Sequence, residues 1–342
     1  MVAQGNKLTM AFNHFAKVLG TSSVRTKAID WGELGYQRHD LQDLDAPFTA
    51  QEVETVVKNM PSEKAPGPDG FIGGFYKKCW NIIKEDLVQA MTCFFNNRTS
   101  RIHLITANII LLPKNQEPET LGDYRPISLI NSVIKIITKL LANQLAPHMN
   151  KLVSNAQNAF IKKRCIHDNF IYAQRVIQLL HIKKKPALFI KLDISKAFDS
   201  VGWGFMLEVL ENFGFSIKWR DWITTLLGTA KSKVLINGQP TKEIRHERGL
   251  RQGDPLSPLP FILAIDQLQR IIELATNRGI LSPVLPRAAN LRCSLYADDA
   301  AIFASATNQE ISYLHRILNF FGECSGLKIN IVKTKIYRYK SE

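Results

Sequence analysis

Two adjacent acids interrupt an apolar run in the last fifth of the chain. Asp298 and Asp299 stand inside CSLYADDAAIFA, residues 293–304. Like charges this close repel each other, and the apolar flanks raise the cost of removing both from water. A cation between them would relieve both penalties. Taken alone, two acids in a turn are more often just turn-forming residues exposed to solvent, so the hypothesis needs further acids aimed at the same place.

A third acid, Asp193, stands in the segment ALFIKLDIS. Its apolar residues alternate, which predicts a β-strand with Phe189, Lys191 and Asp193 on one face. Residues 291–296 and 300–304 are predicted as two short strands joined at 297–299, so that the hairpin carries its acids at the tip. If the hairpin and the Asp193 strand are neighbours in one sheet, the carboxylates of Asp193, Asp298 and Asp299 converge.

Converging carboxylates require divalent cations, and oxygen-only ligands favour Mg²⁺, with Mn²⁺ as an alternative. A pair of such ions about 3.5–4 Å apart supports in-line phosphoryl transfer, because one activates the attacking hydroxyl and the other holds the leaving oxygen. The sequence therefore predicts two-metal chemistry at the ends of these strands.

The composition points to a basic globular protein. In 342 residues, Lys plus Arg number 44 against 30 for Asp plus Glu, a net charge of +14. This balance favours a polyanionic partner such as nucleic acid, although a solvated basic face would give the same count. No apolar run approaches the ~18 residues of a membrane span, and no signal peptide is recognisable. The five cysteines form no C-x-x-C pair, which predicts buried thiols and an intracellular location, nuclear or cytoplasmic.

Local patterns divide the chain into three predicted segments: a connector or lead-in helix at 1–48, then regions at 49–185 and 186–342. The second opens on a capping box, Thr49 with Glu52, that begins a helix. ANIILLPK, residues 107–114, is predicted as a buried strand. Residues 124–145 are predicted as an amphipathic helix that includes Leu129. The segment that begins at Pro258 is predicted as a long helix capped by Ser257.

An ordered set of motifs resembles the reverse transcriptase of LINE-type (non-LTR) retrotransposons, particularly those of plants. The motifs are YRPISL, LDISKAFD, RGLRQGDPLSP, YADD and GLKIN followed by KT. Each is weak alone, but the order and the span of about 49–340 make the set specific. The resemblance implies an α+β, right-handed polymerase fold with fingers at 49–185 and a palm at 186–342, whose antiparallel sheet packs on helices. The chain ends just after the last palm motif, so a thumb is predicted to be missing.

The resemblance also implies residue roles. Asp193 and Asp298 would hold two Mg²⁺ ions, with Asp299 supporting them and the primer end. Phe198 would clash with a ribose 2′-hydroxyl and so select deoxynucleotides, although ordinary core packing is the alternative. The remaining assignments are contacts to the incoming nucleotide and template for Lys114, Arg125, Gln252 and Gly253, and protonation of the pyrophosphate leaving group for Lys333. A solvated lysine on an edge strand is the equal alternative for Lys333.

These roles predict an RNA-directed DNA polymerase that extends a DNA primer on an RNA template with dNTPs; the sequence is silent on protein partners. An RNA-dependent RNA polymerase of the same palm architecture is a second hypothesis. A third is a truncated retroelement remnant that binds nucleic acid without catalysis, using basic residues such as Lys162, Lys163, Arg164 and Arg175.

Overall fold

The computed structural model describes residues 4–22, 25–96, 106–285 and 292–339, and it is a mixed α+β structure. The described helices are α1 (Gln4–Leu19), α2 (Ala50–Asn59), α3 (Gly73–Lys78), α4 (Trp80–Phe95), α5 (Ser132–Leu145), α6 (Met149–Leu152), α7 (Ile166–Ile182), α8 (Ala197–Ser200), α9 (Trp203–Phe213), α10 (Ile217–Gly228), α11 (Pro258–Asn277) and α12 (Asn308–Ser325). The described strands are β1 (Thr106–Pro113), β2 (Tyr124–Ile130), β3 (Ala187–Leu192), β4 (Lys231–Ile236), β5 (Gln239–Pro240), β6 (Ile244–Arg245), β7 (Cys293–Tyr296), β8 (Asp299–Ser305) and β9 (Lys335–Tyr339).

The chain folds into two compact units that interleave along the sequence. Unit 1 comprises Met1–Ser22, Asp40–Leu145 and Gly214–Ser257, and unit 2 comprises Ser23–His39, Ala146–Phe213 and Pro258–Glu342. The boundaries predicted from the sequence, after residues 48 and 185, follow chain order instead. Among the described residues, no helix combines the length and the apolar character that a bilayer span requires.

Unit 1 is built on a sheet in the order β2-β1-β4-β5, with β6 also paired to β4. Strands β1 and β2 are antiparallel, whereas β1 and β4 run parallel. Helix α1 contributes Phe15 and Val18 to a core cluster with Ile109 of β1 and Val234 of β4. The amino-terminal segment therefore supplies a helix to the core of this unit.

The structure corrects the prediction of one helix over 124–145. Residues Tyr124–Ile130 form β2, with Leu129 paired to Asn108 of β1, and α5 begins only at Ser132. Pro126 has no backbone N–H and would disrupt a helix interior, whereas an edge strand such as β2 accommodates it. Pairing with β1, residues 106–113, overrides the apolar spacing that indicated a helix. The capping box of Thr49 and Glu52 at the start of α2 is confirmed.

Unit 2 is built on an antiparallel sheet in the order β7-β8-β3-β9. The alternation predicted for β3 is confirmed, because Leu188, Ile190 and Leu192 are buried while Lys191 is exposed. Helix α7 packs against one end of the sheet, where Leu180 joins a cluster with Phe303. Strand β3 is one of the two inner strands, and Asp193 is the residue that follows its last residue, Leu192.

Gly326 closes α12 in the left-handed backbone region, at φ 83°, and a Cβ there would lie 2.3 Å from the carbonyl oxygen of Ser200. We expect Gly326→Ala to lower the free energy of unfolding by about 2 kcal/mol or more, because alanine disfavours this conformation and the added carbon clashes with backbone. Urea denaturation followed by circular dichroism measures the change. The control is Gly204→Ala in α9, where an added Cβ meets no atom beyond its own helix and chain neighbours within 4 Å; because Gly204 is the second residue of α9, the change should be neutral or stabilise by less than about 1 kcal/mol. Equal effects of the two changes would contradict this account.

Candidate active site

The three predicted acids lie at one end of the unit 2 sheet. Asp193 follows Leu192, whose partner across the β3–β8 ladder is Ala300. Continuing this antiparallel register brings Asp193 level with Asp299, the first residue of β8. Asp298 occupies the turn between β7 and β8. The side chain of Asp193 is half-buried, and those of Asp298 and Asp299 are exposed.

The turn that carries Asp298 has an unusual backbone. Tyr296 pairs with Asp299, so Ala297 and Asp298 form a two-residue connection. Ala297 has φ 54°, in the left-handed region that an alanine rarely adopts. Two-residue hairpins require such a positive φ because it matches the twist of the flanking strands. The predicted hairpin is confirmed, but its connection is 297–298 instead of 297–299, because Asp299 pairs with Tyr296 and begins β8. Strand β7 begins at Cys293, and residue 291 of the predicted strand lies outside the described residues.

Asp193 is held by the loop between α12 and β9. Its backbone N–H donates to Oγ1 of Thr334 at 3.4 Å, and its carbonyl accepts from the backbone N–H of Asn330 at 2.7 Å. Thr334 in turn donates to the carbonyl of Asn330 at 2.8 Å. The GLKIN and KT motifs therefore fix the backbone of the first acid.

A lysine shares the face that carries the acids. Nζ of Lys191 lies 3.6 Å from Oδ1 of Asp299, and both side chains are more than half exposed, at 56% and 69%. Carboxylate oxygens are the donors that Mg²⁺ prefers, so the chemistry of this set fits a hard divalent cation. Among the described residues, however, no group of three or more His, Cys, Asp or Glu side chains is arranged as a ready metal site.

Phe198 lies on α8, a short helix that follows β3. Its ring stacks on that of Phe261 from α11, with centroids 4.2 Å apart and planes 16° apart. Phe261 is fully buried, whereas Phe198 is half-buried. Phe198 therefore has one face packed against the core of unit 2 and keeps part of its surface open to solvent.

Lys333 is exposed in the turn before β9. Its backbone N–H donates to Oδ1 of Asn330 at 3.3 Å, and its neighbour Thr334 contacts the backbone of Asp193. The predicted residue is thus adjacent in sequence to a residue that supports the first acid.

The two predicted finger cations stand on the β1–β2 hairpin of unit 1. Arg125 of β2 is paired with Leu112 of β1. Lys114 follows Leu112 by two residues, so by the alternation of side chains Lys114 and Arg125 share a face. Both are exposed. Nζ of Lys114 donates to the carbonyl of Gly122 at 2.9 Å, so part of its hydrogen-bonding capacity is used within the hairpin.

Gln252 and Gly253 lie in a loop of unit 1 that packs on β2. The backbone N–H of Ser128 donates to the carbonyl of Gln252 at 2.8 Å. Gly253 has φ 104°, and a Cβ there would approach the carbonyl of Ser128 to 3.0 Å, so this position requires glycine. Arg251 is buried and donates to the carbonyl of Leu226 at 2.7 Å; burial lowers its pKa, while Asp254 opposes that shift.

The nine predicted site residues therefore fall into two groups. Unit 2 holds Asp193, Asp298, Asp299, Phe198 and Lys333, and unit 1 holds Lys114, Arg125, Gln252 and Gly253.

Sequence reasoning gave no role to two polar residues that bond to the backbone near the acids. They are Gln157, whose Oε1 accepts from the N–H of Ala297 at 3.0 Å, and Thr334 of the KT motif, whose Oγ1 accepts from the N–H of Asp193. Each acts through a hydrogen bond to backbone, a contact that leaves no spacing pattern in the sequence.

An antiparallel sheet with carboxylates at one end, in a strongly basic chain, points to the class of nucleic-acid polymerases. Residues 112–342 match the family described as "Reverse transcriptase (RNA-dependent DNA polymerase)", and the chain belongs to that family. The polymerase fold that the motifs predicted is the fold this family implies.

Curated relatives agree with this membership. The chain is 28% identical over 266 residues to the transposon TX1 uncharacterized 149 kDa protein of Xenopus laevis, which covers 76% of this chain and 20% of that protein. It is 27% identical over 280 residues to a Pol polyprotein from the type-1 retrotransposable element R2 of Nasonia vitripennis, covering 81% of this chain and 26% of the relative. An uncharacterized mitochondrial protein of Arabidopsis thaliana is 40% identical over 72 residues, or 20% of this chain and 57% of that protein.

The predicted resemblance to non-LTR retrotransposon reverse transcriptases is confirmed by these matches. The chain spans 20% and 26% of the length of the first two relatives. Family membership implies nucleic acid substrates.

Proposed function

We propose that this chain catalyses RNA-templated DNA synthesis. A primer 3′-hydroxyl attacks the α-phosphorus of a dNTP, the new P–O bond forms, and pyrophosphate leaves. The proposal is supported by the location of Asp193, Asp298 and Asp299 at the same end of the unit 2 sheet, in a member of the reverse transcriptase family. Residues 49–185 would then act as fingers and residues 186–342 as palm.

Asp193 and Asp298 are the residues that would hold two Mg²⁺ ions, and Mn²⁺ would substitute. Bound there, the ions would supply charge stabilisation for the transferring phosphoryl group. Asp299 supports the pair while its carboxylate is neutralised in part by Lys191.

The other assignments divide between substrate binding and proton transfer. Arg125 suits a triphosphate because its planar guanidinium donates two parallel hydrogen bonds, and Lys114 adds a second positive charge on the same face. Gln252 and Gly253 line the nucleotide and template, where the absence of a side chain on Gly253 allows close approach of backbone. Lys333 is the candidate acid for the leaving pyrophosphate.

A nucleic-acid-binding protein without catalysis is the second candidate, favoured by the net charge of +14. Of the four basic residues predicted for this role, Lys162, Lys163 and Arg175 are exposed. Arg164 instead donates to the backbone carbonyls of Ser154 and Gln157 at 2.6 and 2.8 Å. Its guanidinium is committed to the protein, so it contributes less to phosphate binding than the other three.

Primer extension on a homopolymer RNA template, run beside filter binding across a salt series, separates the two candidates. We expect Mg²⁺-dependent incorporation of dNTPs, together with RNA binding that weakens linearly on a log–log plot against salt. Chelation of the metal should stop extension and leave binding in place. Binding with no extension in Mg²⁺ or Mn²⁺ would favour the non-catalytic candidate.

A further inference from the structure

Gln157 is fully buried, and its side chain is bonded to the turn that carries the acids. Its Oε1 accepts from the backbone N–H of Ala297 at 3.0 Å and from that of Ala159 at 2.9 Å. Its Nε2 donates to the carbonyl of Ala297 at 3.5 Å, a longer contact. One side-chain amide thus meets both backbone polar groups of the residue that precedes Asp298.

The segment around Gln157 also lies along the outer edge of β7. The N–H of Leu295 donates to the carbonyl of Ala156 at 2.8 Å, and the N–H of Asn158 donates to the carbonyl of Leu295 at 3.1 Å. Nδ2 of Asn169, from α7, reaches the same Leu295 carbonyl at 3.0 Å. The strand that leads into the turn is therefore held by main-chain bonds on this side as well as by β8.

This segment is itself anchored away from the turn. Arg164 binds the carbonyls of Ser154 and Gln157, and the backbone N–H of Ser154 donates to Oδ2 of Asp266, a fully buried residue of α11, at 3.1 Å. Burial raises the pKa of the Asp266 carboxyl, and Arg270 opposes that shift. Gln157 thus reaches Ala297 from a backbone that is fixed at both of its ends.

The bonds from Gln157 stabilise an unfavourable, left-handed backbone conformation at Ala297. An alanine disfavours φ 54°, so the turn needs support from outside the hairpin. The buried N–H of Ala297 would be left without a partner in any turn that moved away from Gln157, which is costly in a buried position. The amide therefore favours one turn geometry and penalises the alternatives.

We propose that Gln157 is a positioning residue: its buried amide fixes the Ala297–Asp298 turn and thereby the direction in which Asp298 and Asp299 present their carboxylates. The metal-binding part of this inference rests on the proposed function. The part that concerns the turn stands on the hydrogen bonds alone, so the two are tested by separate measurements.

The test compares wild type with Gln157→Met, Gln157→Glu and Gln267→Met. Gln267 is a matched control, because it is also a fully buried glutamine of unit 2. Among the described residues its side chain donates to a carbonyl of its own helix, that of Leu263, at 2.7 Å. Amide hydrogen exchange is resolved at Ala297, with Ile302 of β8 as an internal reference, and Mn²⁺ binding is titrated by electron paramagnetic resonance. A neutral glutamic acid keeps the acceptor oxygen, so Gln157→Glu should retain protection of Ala297.

We expect Gln157→Met to speed exchange at Ala297 by about tenfold relative to Ile302, since the N–H loses the Gln157 acceptor, and to weaken Mn²⁺ binding by about tenfold. Gln267→Met should change neither the exchange rate of Ala297 relative to Ile302 nor the affinity for Mn²⁺. Equal exchange at Ala297 in both methionine variants would contradict the inference that Gln157 fixes the turn. Faster exchange with unchanged Mn²⁺ affinity would overturn the positioning role. Absence of Mn²⁺ binding in wild type would count against the proposed function, and exchange at Ala297 would still decide whether Gln157 holds the turn.

Discussion

Asp193→Asn and Asp298→Asn should each reduce dNTP incorporation by about a thousandfold or more, because two metal ions supply several kcal/mol of transition-state stabilisation and an amide is a poor ligand for them. Single-turnover primer extension in saturating Mg²⁺ measures this loss. Asp299→Asn should have a smaller effect, since Asp299 supports the pair and is already balanced by Lys191 at 3.6 Å. The ranking of the three effects follows from the roles that the family resemblance implies for these acids.

The control for these changes is Asp221→Asn, an exposed aspartate on α10 of unit 1. It removes the same charge and should leave incorporation unchanged. Thermal unfolding should show that the Asp298 variant is no less stable than wild type, because relief of like-charge repulsion offsets any lost contact. RNA binding should persist in all variants. Substantial incorporation by the Asp193 or Asp298 variant would refute the metal assignment, and with it the proposed mechanism.

Phe198→Ala should raise the use of ribonucleotides relative to deoxynucleotides by about a hundredfold, because a steric block of this kind is worth roughly 1–3 kcal/mol of discrimination. The ratio of kcat/KM values for an rNTP and its dNTP is the measurement. Phe198 stacks on Phe261, so its ring cannot turn aside without losing that contact. Phe261→Leu should therefore relax the discrimination too, by a smaller factor.

A matched control is Phe189→Ala, which removes another half-buried aromatic ring of unit 2. Phe189 lies on β3 and packs with Phe303, with ring centroids 5.1 Å apart. Its loss should lower stability and leave the rNTP to dNTP ratio unchanged. A wild-type enzyme that used both nucleotides equally well would contradict the gate and favour an RNA-dependent RNA polymerase. An unchanged ratio in Phe198→Ala would assign Phe198 to core packing.

The order of the motifs and the alternation of β3 were readable from the sequence because both are local properties. Side chains two apart on a strand share a face wherever the strand lies, so Asp193 and Lys191 could be assigned to one face in advance. The hairpin before and after Ala297 was equally local. The chain's family, and hence its class of substrate, followed from the order of short motifs along the sequence.

Tertiary structure alone decided which strands became neighbours. Nothing local to Asp193 states that β3 lies between β8 and β9, because that order depends on how the buried faces of distant segments pack. Contacts with a distant segment also made Tyr124–Ile130 a strand. Pairing with β1 satisfied the backbone hydrogen bonds of this segment, and Pro126 disfavoured a helix. Hydrogen bonds from side chain to distant backbone, such as those of Gln157 to Ala297, have no sequence period. They arise only when the fold brings a buried amide to an N–H that would otherwise lack a partner.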